Sequence, residues 1–208
     1  MNNLEIKFTK KNIKKFVKAN IDDASFDESA INALQDLISR HASFLGIDTI
    51  KKLILIIMCD AASENKKVNS NFIYNAHNKL QTLIEDNKLH TIKVIDRVFT
   101  SKKLEVKGQI GVVILKSGID KFVSEVFGDD LILTKEASDA LKKRVSIQHY
   151  GINILTSRLI LILDMALEKS DKTRSNKKIV SVELLKDAYD HFDKISNKTI
   201  IKNQMKSL

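Results

Sequence analysis

Proline and tryptophan are absent from this sequence, and only six glycines are spread over its 208 residues. Few helix breakers and few sites for a tight turn remain, so long helices joined by short polar loops are expected. Cys59 is the only cysteine. It excludes an intrachain disulfide and a thiolate metal cluster, and points to an intracellular or intravirion setting. Its apolar surroundings mark it as a small buried hydrophobe. No predominantly apolar run approaches the roughly 20 residues of a membrane span, and the Lys-rich N-terminus lacks the apolar core of an export signal. Signatures of catalysis are missing too. There is no Gly-rich phosphate loop, nucleophile elbow or His–Glu–His pattern, so the expectation is a protein that is not an enzyme and uses no cofactor or metal.

What the chain has in quantity is positive charge. Its 35 Lys and Arg exceed 26 Asp and Glu, giving a formal charge of +9, which favours a polyanionic partner such as nucleic acid or an acidic membrane surface. Lys, Ile and Asn are abundant, as in proteins from AT-rich genomes.

The chain also repeats itself. "IKKFVKANIDDASFDESAINAL" (13–34) returns as "IDKFVSEVFGDDLILTKEASDAL" (119–141), "LILIIM" (53–58) as "LILILDM" (159–165), and "VNSNFIYNA" (68–76) as "VSVELLKDA" (180–188). The separation drifts only where "AASENKK" becomes "EKSDKTRSNKK", an insertion placed where a solvent-exposed loop belongs. Each copy reads as a short helix, a loop, a long helix, a loop and a short helix. Ile13, Phe16 and Val17, and again Ile119, Phe122 and Val123, have the i, i+3, i+4 spacing of a buried helix face. Asp27 and Thr134 fit N-caps of the long helices. "LILII" and "LILIL" are apolar at nearly every position, which predicts burial on more than one side. A helix of about 30 residues would be ~45 Å long, too long to be covered by two short neighbours, unless Gly46 and Gly151 break it.

A short–long–short helical unit that pairs through its long helix resembles the histone fold, and the two copies together resemble a histone doublet of viral or prokaryotic type. The most specific likeness is "NKKVNSNFIYNA" and "NKKIVSVELLKDA", similar to the family's basic loop and last short helix. The resemblance implies an all-α fold with two histone-fold units, residues 1–80 and 115–195, paired as an intramolecular pseudo-dimer. Between them lies a connector, 81–114, packed on the fold; a basic tail, 196–208, follows, either an added helix or a disordered arm. Leu89, Ile92, Ile95 and Phe99 suggest an amphipathic helix in the connector, and "GQIGVVIL" a strand or an extended segment.

The implied function is binding of double-stranded DNA without sequence preference, with bending or compaction, in a nucleoid, a host nucleus or viral factory, or a virion. The alternative is a histone-fold interaction module, a scaffold or transcription-regulator subunit with little direct DNA contact. Carried over by position, the DNA-binding candidates are Lys11, Lys14, Lys15 and Lys18 on the first helix, Lys66 and Lys67 in the last loop, and Lys121, Lys177 and Lys178 in the second copy. Departures accompany them. The basic position of the first loop falls on Ser25 and Ile132, and the loop arginine with its aspartate partner becomes Asn65 with Phe72 and Lys177 with Leu184. Family architecture also implies that Lys66 and Lys67 face Asp129 and Asp130, and Lys177 and Lys178 face Asp22 and Asp23. Self-association of doublets through His77, Leu80 and His191 is a further implication.

Overall fold

The computed structural model describes residues 6–63, 65–86, 90–114, 116–128, 131–145, 151–170 and 177–205. Along the first half run β1 (Ile6–Phe8), α1 (Lys10–Asn20), β2 (Ser25–Phe26), α2 (Glu28–Ala42), α3 (Ile47–Ser63), β3 (Lys67–Val68) and α4 (Ser70–Asp86). The connector forms α5 (Thr91–Ser101) and β4 (Val112–Ile114). The second half repeats the order: α6 (Lys116–Phe127), β5 (Leu131–Leu133), α7 (Lys135–Arg144), α8 (Ile152–Glu168), β6 (Lys178–Val180) and α9 (Val182–Met205). The chain is mostly helical, and its short strands form two-stranded pairs.

Two bodies result, one of Ile6–Val113 with Ile147–Ile152, the other of Ile114–Ser146 with Asn153–Leu208 and Met1–Glu5. The connector thus belongs with the first body. In each, the first helix buries the expected triad: Ile13, Phe16 and Val17 in α1, Ile119, Phe122 and Val123 in α6, all at most 6% exposed. Burying such a side chain stabilises by about 1.5–3 kcal/mol, which is why these short helices hold their rotation. Asp27 and Thr134 cap the next helices as their residue types require, accepting from the amides of Ala30 at 2.9 Å and Ala137 at 3.1 Å.

The long helix is broken in both copies. In the first, residues 43–46 separate α2 from α3, with the amides of Phe44 and Leu45 turned back to the His41 carbonyl. In the second, α7 ends at Arg144 and α8 starts at Ile152, with 146–150 outside the described residues. Gly151, counted with the first body, runs so close to the Phe44 backbone that a Cβ would collide with it.

That break overturns the expected crossing of loops between copies. β2 pairs in parallel with β3, Ser25 opposite Lys67 and Phe26 opposite Val68; β5 pairs with β6, Leu131 opposite Lys178 and Leu133 opposite Val180. Each pair lies inside one copy. An unbroken helix would carry the last loop ~45 Å from the first, whereas folding α3 back on α2 returns it beside the strand from which α2 began. Lys66 and Lys67 therefore neighbour Ser25, and Lys178 neighbours Leu131; Asp129 and Asp130 lie outside the described residues.

The apolar runs differ in fate. Leu53 to Met58 of α3 are each at most 2% exposed, because α5 packs on α3 with Val94 and Ile95 buried and with the ion pairs Lys52–Asp96 (2.6 Å) and Lys102–Asp60 (2.5 Å) at its flanks. Ile92, expected to face inward, is exposed, and Leu89 is outside the described residues. On α8, Leu159, Ile162 and Leu163 are buried but Ile154 and Leu161 are 50% and 49% exposed, so burial on several sides holds for the first copy only. The tail continues α9 as helix to Met205.

Candidate nucleic-acid interface

With Ile13, Phe16 and Val17 fixed inward, the other face of α1 is lysine. Lys11, Lys14, Lys15 and Lys18 are all exposed, as is Lys10, and α1 contains no acidic residue. Lys10 and Lys14 reach across to Glu28, in the first turn of α2, at 3.3 and 2.7 Å. Lys14 and then Lys10 hold the Glu28 carboxyl below its usual range. Among the described residues Lys11, Lys15 and Lys18 have no hydrogen bond or ion pair.

These lysines edge an open groove of about 950 Å³. Its other wall is formed by Ile21, Asp22, Ala24, Ser25 and Phe26, with Val17 and Ile31 contributing from the core. The β2–β3 pair attaches the loop lysines to this wall: the Ser25 amide and hydroxyl both donate to the Lys66 carbonyl, at 2.9 and 3.2 Å. Lys66 and Lys67 are exposed. Among the described residues, five of the sequence-derived candidates in the first copy thus have no ion-pair partner, and the strand pair links the two groups.

The second copy is different. Lys121 is exposed but paired with Glu125 at 3.6 Å. The Lys178 ammonium donates at 2.8 Å to the Leu167 carbonyl, which also accepts from the Ser170 amide and hydroxyl at 3.2 and 3.0 Å, at the C-terminal end of α8, where a cation is favoured by the helix dipole. Lys177 is half-buried. Of the loop lysines only Lys66 and Lys178 occupy matching positions. Val68 and Val180 are the matching buried strand residues, at 1% and 0% exposure, so the structural counterpart of Lys67 is Ile179, and that of Ser25 is Ile132. Both isoleucines are 41% exposed. The sequence reading had this register, matching Val68 with Val180 and Ser25 with Ile132, and still carried Lys177 and Lys178 as candidates; it passed over Lys10 and Phe26, whose signal was their position beside the chosen lysines, and the exposed run Lys142–Lys143–Arg144.

The histidines occupy other places. His41 of α2 and His77 of α4 bring their Nε2 atoms to 3.0 Å, and Gln81 approaches the His77 Nε2 at 3.2 Å. Burial pushes both imidazoles below their usual pKa. Of the residues offered for self-association, Leu80 is buried, His77 is engaged in this contact and His191 is exposed on α9. His149 lies outside the described residues. Among the described residues no cluster of three or more His, Cys, Asp or Glu is placed to hold a metal ion, and no helix is long and apolar enough to cross a membrane.

No protein-family model, curated protein or solved structure matches the chain.

Proposed function

We propose that this chain binds double-stranded DNA without sequence preference and bends or compacts it, as a tandem of histone-like units. The observation that carries the reading is the cationic surface of the first body, Lys11, Lys15 and Lys18 on α1 together with Lys66 and Lys67 held beside Ser25. Phosphate contact is electrostatic and tolerant of position, so a lysine surface suffices for affinity and needs no base-reading side chain. The repeated order of helices and strand pairs supports the tandem part of the reading. In it the units close their loop strands separately, and the crossed pseudo-dimer of the histone resemblance is replaced by two folded-back copies.

A second reading, an interaction module with little DNA contact, is favoured by the exposed Ile132, Ile179 and Leu161 of the second copy. A salt titration on a random-sequence duplex separates the two. Five lysines at phosphates predict a log–log slope of affinity against salt of about −4 to −5. Absence of measurable binding at low salt would leave the interaction module.

A further inference from the structure

We propose that the groove beside α1 takes unpaired nucleotides, with phosphates on its lysine rim and bases against Phe26. The proposal rests on the nucleic-acid reading above and specifies what enters the groove. A surface made only to neutralise a duplex needs a cationic ridge; this one has a recess behind the ridge, with apolar walls from Ile21, Ala24 and the half-buried Phe26. Duplex bases are sealed in their stack, so a duplex can meet the rim but leaves the recess empty. A single strand offers both charges and flat apolar faces, the combination that unspecific single-strand sites use.

The rim fits such a strand. Lys10 and Lys14 are drawn to Glu28, which leaves Lys11, Lys15 and Lys18 at i, i+4 and i+7, one stripe with axial steps of about 6 and 4.5 Å. Asp22 lies on the opposite wall and repels phosphate there, which orients a strand with its backbone along α1 and its bases toward β2. On α6 the corresponding lysine, Lys121, is paired with Glu125.

The test compares the full chain's affinity for a 20-nucleotide oligo-dT, an oligo-rU, an abasic strand of equal length and a 20-bp duplex at one salt concentration. The abasic strand keeps the phosphates and removes the bases, so it should bind at least about fivefold more weakly than oligo-dT. Equal dT and rU affinities identify the shared strand chemistry, and a preference for one identifies the sugar that the groove accepts. Phe26→Leu, which keeps the apolar packing, should lower oligo-dT affinity by a similar factor and change duplex affinity less than about twofold, and Phe26→Tyr should restore it. Abasic and oligo-dT strands binding alike, with duplex still bound, would overturn this inference and leave the duplex reading standing; failure to bind any of the four would overturn both.

Discussion

Ile13, Phe16 and Val17 of α1 and Ile119, Phe122 and Val123 of α6 are buried to the same depth, yet the helices turn different surfaces outward. α1 carries five lysines and no acid; α6 carries two lysines and two acids. The strand pairs diverge in the same sense, Ser25 and Lys67 in one copy against Ile132 and Ile179 in the other. α3 is covered by α5, whereas α8 leaves Ile154 and Leu161 exposed. Duplicated packing with unduplicated surface teaches that the fold constrains the inward positions and leaves the outward ones free to specialise. Among the described residues the first helix of the first copy gathers the lysines, while the strand pair and α8 of the second expose Ile132, Ile179, Ile154 and Leu161.

The largest effects should fall on what the copies share. Phe16→Ala and Phe122→Ala each remove a side chain at most 2% exposed and should each cost about 3–5 kcal/mol in urea unfolding. If one of the two were nearly silent, the copies would not be equivalent cores.

A smaller effect separates them. His41 and His77 titrate below their ordinary range when folded, chiefly through burial, so the unfolded chain takes up protons first as pH falls. Stability from this pair is complete above the unfolded value near 6.5 and declines as pH drops below it toward the lowered folded values. With Nε2 facing Nε2 at 3.0 Å, a charge on His77 further disfavours one on His41. Arg40, paired with Asp36, adds positive charge beside the two imidazoles. The matching place on α9 is Tyr189, whose hydroxyl burial pushes up to about 12 and over whose ring Arg144 sits at 4.7 Å; it does not titrate in this range. Urea midpoints should therefore fall between pH 7.5 and 5.5 in the parent and fall less in a His41→Asn, His77→Gln variant. Parallel declines would remove the histidine pair as the cause.

Much of the inward pattern was legible from residues alone: both buried triads, both caps, the run Leu53–Met58, and the glycine at the end of the first helix break. These are local signals, fixed by helical period and by the first turn's unpaired amides. Partnership between distant segments was not legible. The same sequence permits β3 to pair with β2 or with the other copy's first loop, and the choice depends on whether α2 and α3 form one rod or fold back at residues 43–46. The role of Lys178 was not legible for a related reason: it opens β6 opposite Leu131, yet its ammonium reaches the Leu167 carbonyl at 2.8 Å, a tertiary contact that matching the two copies does not reveal.

The most direct test of the comparison removes equal charge from each copy. Lys11, Lys15 and Lys18 replaced by alanine form one triple variant; Lys121, Lys142 and Lys143 replaced by alanine form the other, with the same change in net charge. Duplex affinity is measured across a range of salt concentrations. The account predicts that the first variant loses at least about tenfold in affinity at low salt and that its salt slope shrinks by about 3, while the second stays within roughly twofold of the parent with its slope unchanged. Equal losses in the two variants, or a larger loss in the second, would contradict it.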